Sequence, residues 1–189
     1  MIAKGFDFPR VVLVGVLNAD NLLNYPDFRA SERAFQLMTQ VAGRAGRGRT
    51  PGEVVIQTSQ PQHPVIRQVM DGDYEGMVRS QLAERRSFFY PPYCRLVAIT
   101  LRHRDKAVLW RAASRFGEVC RPVFGRRLLG PEAPPVDRVR EEFIVCFTLK
   151  IEREQSFARA RGLLAGMVAR LTAEPDYRNL TVVCNVDPQ

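Results

Sequence analysis

Residues 11 to 17 form an unbroken apolar run, Val-Val-Leu-Val-Gly-Val-Leu, which ends at the polar loop Asn18-Ala19-Asp20. A short run rich in β-branched residues is typical of a strand that is buried on both faces of a parallel sheet. The stretch from Ser31 to Gln40 has the apolar spacing of an amphipathic helix, and a second strand is predicted at 53 to 58, after the break at Pro51-Gly52. Strand, helix and strand predict a βαβ unit with a parallel sheet, and therefore an α/β fold for the first part of the chain.

The double proline Pro91-Pro92 stops a helical stretch over 74–89 and marks the expected domain boundary. Beyond it the pattern predicts strand 94–102, helix 105–121, strand 142–151, helix 154–173 and strand 179–186, with a Gly/Pro-rich passage before the second strand. This order predicts an α+β sandwich, with two helices on one face of a small sheet. The expected division is 1–70 for the α/β part, 71–91 for a helical connector and 92–189 for the α+β domain.

The chain carries 28 Lys+Arg against 20 Asp+Glu, a formal net charge of +8. Most of the excess lies beyond residue 91, which favours a polyanionic partner for that half. Solvated helix faces with glutamate partners account for many of these side chains, because exposed ion pairs contribute little. The stronger candidates for contact with a DNA backbone are Arg126, Arg127, Arg138 and Arg140.

The four cysteines, Cys94, Cys120, Cys146 and Cys184, stand far apart and include no Cys-x-x-Cys pair. We therefore expect reduced thiols and no metal site in this chain. No apolar run approaches the roughly 20 residues that cross a bilayer, and no positively charged leader precedes an apolar segment. These features predict a cytoplasmic protein with no membrane contact.

The run from Gln40 to Arg47, Gln-Val-Ala-Gly-Arg-Ala-Gly-Arg, places two arginines three residues apart, each after a glycine. Glycine lets a backbone approach a ligand closely, and a guanidinium matches the geometry of phosphate oxygens. We expect this run to close the helix and to lie with the loops at the carboxyl ends of the strands, where open α/β sheets bind ligands. The alternative is a solvated basic helix end that is stabilised by the helix dipole.

Met1 to Pro9 before the first strand, with Gln40 to Arg47 after it, resembles in order and spacing the last two motifs of a superfamily 2 helicase. Further landmarks are Leu82-Ala83-Glu84-Arg85-Arg86 with Pro91-Pro92, Leu129-Gly130-Pro131, and Val186-Asp187-Pro188. Together they resemble one family, the primosomal protein N′ (PriA) replication-restart helicases, over almost the whole chain. Phe6-Asp7 departs from this pattern, because many members carry a histidine pair after Lys4-Gly5.

The resemblance implies roles for particular residues. Arg47 would be the arginine finger on the γ-phosphate and Arg44 would face the same triphosphate, because phosphoryl transfer needs positive charge where negative charge develops. The other nucleotide-binding candidates are Gln40, Gly43, Gly5 and Asp7, and Lys4 is a DNA-binding candidate. Capping of a turn by Asp7 and simple solvation of Lys4 are the structural alternatives.

The resemblance also implies a fold and partners. Residues 1–70 would be the end of the second RecA-like helicase lobe, and 92–189 a domain similar to ribosomal protein S10, with a ferredoxin-like α+β fold. The whole protein would use ATP and Mg²⁺ for 3′-to-5′ movement at stalled forks, and would carry zinc upstream of this chain. Its partners would be forked and single-stranded DNA, other primosome proteins, and the acidic tail of single-stranded-DNA-binding protein, for which Arg159 and Arg161 are candidates.

This chain contains neither a G-x-x-x-x-G-K-[ST] loop nor an Asp-Glu-x-His box. With nothing to hold the β-phosphate or Mg²⁺, it is expected to be inactive as an ATPase on its own, with no cofactor. The alternative function is a non-enzymatic nucleic-acid-binding module, in which the Gly-Arg run is a phosphate clamp.

Four aromatic residues surround the double proline: Phe88, Phe89, Tyr90 and Tyr93. Aromatic rings beside a positive surface can stack on unpaired bases. Aromatic side chains crowded at a domain junction more often pack into a core, and core packing is the expectation here.

Overall fold

The computed structural model describes residues 11–46 and 52–188. The chain divides into two compact units, the first ending at Ser87 and the second beginning at Phe88.

Within residues 11–46 and 52–87, the first unit contains a parallel two-stranded sheet and four helices. In chain order the elements are β1 (Leu13–Val16), α1 (Asp20–Leu23), α2 (Ala30–Ala42), β2 (Glu53–Ile56), α3 (Pro64–Asp71) and α4 (Tyr74–Ser87). β1 and β2 pair in parallel, with Leu13 opposite Glu53 and Val16 opposite Ile56. The predicted succession of strand, helix and parallel strand is confirmed.

The core of this unit lies between the helices. Phe35 and Met38 of α2 are buried against Val65 and Ile66 of α3 and Met77 of α4. A salt bridge of 2.5 Å from Arg85 to Glu32 also ties α4 to α2. The stretch that we expected to be a connector thus contributes a core residue and an ion pair to the first unit, up to Ser87.

The expectation that the first strand is buried on both faces is wrong for this structure. Leu13 is 58% exposed, Val55 of the neighbouring strand is 50% exposed, and Leu17 just after β1 is 80% exposed. Exposure alternates along both strands, because the helices cover the face that carries Val16 and Ile56, while Leu13 and Val55 lie on the opposite face, which the described residues leave uncovered.

The second unit is a five-stranded antiparallel sheet with two helices. Its elements are β3 (Cys94–His103), α5 (Lys106–Phe124), β4 (Leu128–Glu132), β5 (Arg138–Val139), β6 (Glu142–Glu152), α6 (Phe157–Ala173) and β7 (Thr181–Val186). The strand order is β4-β6-β3-β7, with β5 paired to β6. This is the order of a split βαβ fold of the ferredoxin-like type, so the expected α+β architecture is confirmed.

The two long helices cover one face of this sheet. Ile99 and Leu101 of β3 and Phe147 and Leu149 of β6 are fully buried in one cluster with residues of α5 and α6. The Phe147 ring makes an edge-on contact with Phe116 of α5, at 5.1 Å between ring centroids. Because successive side chains of a strand point to opposite faces, every second residue of β3 and β6 faces the helices, and these residues form a continuous core.

β4 and β5 fall in a stretch that the sequence pattern did not assign to strands. β4 contains Gly130-Pro131, and its pairing with β6 shifts register between Leu129 and Glu132. Glycine and proline are depleted in strands and are tolerated at edges and bulges, which explains why the composition indicated a loop.

Candidate functional site

The Gly-Arg run closes α2 with a tight turn. The Gly43 N–H donates to the Thr39 carbonyl at 3.0 Å, and the Arg44 N–H donates to the Val41 carbonyl at 3.1 Å. Gly46 ends the turn at a φ of 76°, a conformation that favours glycine, and its N–H donates to the Val11 carbonyl at 3.0 Å. The turn is therefore fixed by backbone hydrogen bonds to both the helix and the residues that lead into β1.

The bond from Gly46 to Val11 also locates the turn in the sheet. Val11 precedes β1, so the Gly-Arg turn lies at the amino end of the strand, and the expectation of a position among the carboxyl-end loops is wrong. The reason is geometric. A helix that follows a strand in a βαβ unit runs back along the sheet, so its last turn returns to the end where the strand began.

Arg44 is half-buried, while Gln40 and Gly43 are exposed. Gln40 and Arg44 are four residues apart across the end of α2, and this spacing puts side chains on one helix face. Arg44 also lines an apolar cavity of about 610 Å³ with Leu37, Met38 and residues of β1. Arg47, Lys4, Gly5 and Asp7 lie outside the described residues, so their roles stay predictions.

The carboxyl ends of the two parallel strands are joined by Asp20, a residue that our sequence analysis did not single out. Its carboxylate accepts hydrogen bonds from the Thr58 hydroxyl, from the Ser59 N–H at 2.9 Å and from the Ser59 hydroxyl at 2.6 Å. These bonds, those of Ser59 foremost, lower the pKa of Asp20. The available signal was the presence of polar residues just after each predicted strand, Asp20 in the loop after the first and Ser59 after the second.

In the second unit, a group of arginines lies near the end of the sheet where β6 finishes and β3 begins. The Arg127 Nε donates to both carboxylate oxygens of Glu152, at 2.8 and 2.6 Å, which places the turn after α5 beside the end of β6. The Arg95 guanidinium lies 5.0 Å from the Phe157 ring, which places the start of α6 beside the start of β3. We call this group the basic end: Arg126, Arg127, Arg153, Arg159 and Arg161.

The arginines of the basic end differ in how they are balanced. Arg127 is neutralised by Glu152: burial opposes ionisation of this carboxyl, but the hydrogen bonds from Arg127, a backbone hydrogen bond and the positive charge of Arg127 together outweigh it and lower the pKa of Glu152. Arg126, Arg153, Arg159 and Arg161 are exposed, and within 11–46 and 52–188 their side chains have no ion pair. Four arginines are therefore available to an anionic partner.

The remaining two DNA-binding candidates lie elsewhere. Arg138 pairs with Phe143 near the start of β6, and Phe143 pairs with His103 at the end of β3. Arg138 also rests 5.1 Å from the Phe143 ring, and Arg140 is exposed in the following turn. Since β6 is 11 residues long, these two arginines lie about 30 Å from the basic end. The structure thus groups Arg126 and Arg127 with Arg159 and Arg161, and separates them from Arg138 and Arg140.

The aromatic residues around the double proline are not equivalent. Phe88 is 64% exposed, whereas Phe89, Tyr90 and Tyr93 are partly buried. The Lys150 ammonium sits 3.6 Å from the centre of the Tyr90 ring and donates a 2.9 Å hydrogen bond to the Phe88 carbonyl. Packing is thus the outcome for three of the four residues.

Residues 86–189, more than half of the chain, match the family described as the primosomal protein N C-terminal domain. The chain belongs to the PriA family. It is 37% identical over 190 residues to replication restart protein PriA of Bacillus subtilis, covering 100% of this chain and 23% of that protein. To the protein of the same name in Haemophilus influenzae it is 34% identical over 193 residues, covering 100% of this chain and 26% of that one.

A third relative is replication restart protein PriA of Treponema pallidum, 44% identical over 141 residues, which covers 74% of this chain and 22% of that protein. The chain thus spans about a quarter of the length of these curated relatives. Their printed name supports a role in replication restart for this family.

Residues 11–46 and 52–188 contain no group of three or more His, Cys, Asp or Glu side chains that could hold a metal ion. The cysteines are free thiols, with Cys94 and Cys120 buried and Cys184 exposed. In the same part of the chain, no helix is long and apolar enough to span a bilayer.

Proposed function

We propose that this chain is the C-terminal part of an ATP-dependent 3′-to-5′ DNA helicase that recognises stalled forks and restarts replication by primosome assembly. The observation that carries the proposal is the Gly43–Gly46 turn, which fixes a Gly-Arg motif between α2 and the parallel strand β1 in a member of the PriA family. We call the longer protein that would contain this chain the parent protein.

The exposed apolar strands support a helicase lobe. Parallel sheets occur almost only with both faces covered and are larger than two strands, yet Leu13 and Val55 are half exposed here. The cavity beside β1 also exposes apolar side chains, since Val14, Val16 and Leu37 line it. These features fit β1, α2 and β2 as part of a larger parallel sheet, which we propose to be the second RecA-like lobe.

The nucleotide roles follow from the turn and the resemblance together. Arg44 and Arg47 would face a triphosphate held by the other lobe of the parent protein, with Arg47 as the arginine finger. Gln40 and Gly43 lie exposed on the same turn and would approach the same ligand, as would Gly5 and Asp7. ATP and Mg²⁺ would be held by the parent protein, and zinc by a segment outside this chain.

The basic end is the proposed nucleic-acid surface of the second unit. Four arginines without ion pairs among the described residues can neutralise phosphates, and each neutralised phosphate releases counterions. Arg159 and Arg161 belong to the same surface and remain the candidates for the acidic tail of single-stranded-DNA-binding protein. Arg138 and Arg140 would contact DNA only if a duplex spans the length of the sheet.

A non-enzymatic nucleic-acid-binding module is the second candidate. It is favoured by one observation: the basic end is built entirely within the second unit and needs nothing from the Gly-Arg turn. In that case the chain would bind nucleic acid without any coupling to ATP hydrolysis.

The deciding experiment is Arg47→Ala in the parent protein. We expect DNA-stimulated ATP hydrolysis to fall by about 10³-fold, the magnitude at which arginine fingers act, while binding to forked DNA stays nearly unchanged. Arg79→Ala is the matched control, because Arg79 is an exposed arginine of α4 in the same unit. Equal losses of hydrolysis and fork binding would contradict the finger role and favour a phosphate clamp.

A further inference from the structure

We propose that Phe88 is a stacking platform for an unpaired base of a nucleic-acid strand whose phosphates lie on the basic end. This inference rests on the proposed function in one respect, that nucleic acid is a partner of the second unit. It adds a residue of the second unit that recognises a single-stranded segment.

The ring of Phe88 is exposed while its backbone is held. Phe88 is 64% exposed, although burying a phenylalanine side chain away from water is favourable. The carbonyl of the same residue accepts the hydrogen bond from the Lys150 ammonium, and the next carbonyl, of Phe89, accepts one from the Cys94 thiol at 3.3 Å. Because the backbone of Phe88 is anchored and its ring is exposed, the ring forms a pre-organised contact surface. Pre-organisation lowers the entropy cost of binding.

A chain of contacts connects Phe88 to the basic end. Lys150 and Glu152 are two apart in β6, so their side chains lie on one face of the sheet with α-carbons about 7 Å apart. Lys150 bonds the Phe88 carbonyl, and Glu152 binds Arg127. The Phe88 backbone and the turn that carries Arg126 and Arg127 therefore lie near each other at one edge of the second unit.

An aromatic ring beside a basic surface matches the chemistry of a single strand. Unpaired bases offer a free π-face, and proteins that bind single strands combine stacking on aromatic side chains with a positively charged track for the backbone. Bases in a duplex are already stacked on each other and cannot reach the ring. An acidic peptide would use the arginines but would gain no base stacking from Phe88.

The test compares Phe88→Ala with the unaltered chain on two DNA probes, a duplex that carries a single-stranded arm with 2-aminopurine and a blunt duplex of equal length. We expect affinity for the armed duplex to fall by about 5- to 100-fold and quenching of 2-aminopurine to be lost. Affinity for the blunt duplex and the slope of affinity against salt should not change, because no phosphate contact is removed.

Three further variants keep the test specific. Phe88→Trp should retain both quenching and affinity, whereas Phe88→Leu, which keeps apolar area without a π-face, should behave like Phe88→Ala. Tyr25→Ala removes a 60% exposed ring in the first unit and should have no effect. Thermal unfolding of each variant checks that the fold is kept.

The inference is overturned if Phe88→Ala binds the armed duplex as the unaltered chain does, if it loses affinity for both probes equally, or if Phe88→Leu is indistinguishable from the unaltered chain. It is also overturned if Phe88→Ala weakens binding only to a peptide rich in Asp and Glu, which would assign the ring to a protein partner. Failure of the unaltered chain to bind either DNA would instead refute the proposed nucleic-acid function itself.

Discussion

The two units cover their own sheets to very different extents. In the second unit Ile99, Leu101 and Phe147 are completely buried under α5 and α6. In the first unit Leu13 of β1 is 58% exposed and Val55 of β2 is 50% exposed, although both strands are rich in apolar residues. The second unit therefore completes its core with its own elements, while the sheet of the first unit has an apolar surface left over.

This difference shows that an apolar strand pattern can predict more burial than the described elements around the strand provide. An apolar run with no polar alternation predicts burial on both faces, and the helices of the first unit supply cover for only one region around Phe35 and Met38. The apolar surface that stays exposed on β1 and β2 fits contact with further polypeptide. Under the proposed function, that polypeptide is the remainder of the helicase lobe.

The largest effect that would test this comparison is Phe147→Ala. Phe147 is completely buried and contacts the Phe116 ring, so its removal should lower the free energy of unfolding of the second unit by about 3–5 kcal/mol. Unfolding in urea, followed separately for each unit by hydrogen exchange, measures this. Val123→Ala, at a position that is 44% exposed on α5, is the control and should change stability by less than about 0.5 kcal/mol.

If Phe147→Ala also destabilised the first unit, the conclusion that the second unit has an independent core would be wrong. If hydrogen exchange in α2 and α3 accelerates as much as in β3 and β6, the two units unfold as one body. Protection that is lost only in the second unit would confirm that its core is independent.

A smaller effect is expected for Gly46→Ala in the first unit. Gly46 has a φ of 76°, where a side chain costs about 1–2 kcal/mol, and its N–H holds the Gly-Arg turn to Val11. Gly43→Ala is the matched control, because Gly43 has a φ of −64° and an added Cβ would lie 3.5 Å from the Thr39 carbonyl, an ordinary contact. Thermal unfolding should separate the two variants.

The same pair distinguishes two reasons for a glycine in one motif. Gly46 is required by backbone conformation, so its variant should lose stability. Gly43 has no such requirement, so under the proposed function Gly43→Ala should impair nucleotide-dependent activity of the parent protein without destabilising the turn. Equal stability of both variants would show that the turn tolerates a side chain at Gly46.

Much of the fold was predictable because it is encoded locally. The apolar run at 11–17, the amphipathic stretch from Ser31 and the apolar residues after Pro51-Gly52 predicted the strand, helix and strand of the βαβ unit. β4 escaped prediction because Gly130-Pro131 interrupts it, and its pairing with β6 depends on contacts far along the chain. Exposure of Leu13 depends on which elements pack against its face of the sheet, and local sequence does not contain that information.

The sequence was enough to predict which residue types form the candidate sites, but not where those residues lie in the fold. The glycines and arginines of the Gly-Arg run stand out by composition, but their position at the amino end of β1 follows from the direction of α2. The pairing of Arg127 with Glu152, 25 residues later, is a product of the sheet register. The same register separates Arg138 from Arg127, two residues that seemed equivalent as members of one basic region.

The smallest expected effect concerns the ion pair between Arg127 and Glu152, which distinguishes Arg127 from the exposed arginines of the basic end. The folded state lowers the pKa of Glu152 from its ordinary value of 4.5, so the ion pair stabilises the second unit above that range and loses this contribution as pH falls through the lowered pKa. Glu152→Gln should cost about 0.5 kcal/mol at neutral pH, as partly exposed pairs do, and nothing in strong acid. Urea unfolding at both pH values measures this.

Glu152→Gln should also release Arg127 to a DNA backbone. The slope of log affinity against log salt would then steepen by up to about one, because one more phosphate can be neutralised. Glu154→Gln is the control, since Glu154 is exposed at the same end and forms no ion pair within the described residues, so it removes equal charge without releasing an arginine. Equal slopes in the two variants would mean that Arg127 stays away from DNA even when it is unpaired, and would leave the phosphate contacts of this surface to Arg126, Arg153, Arg159 and Arg161.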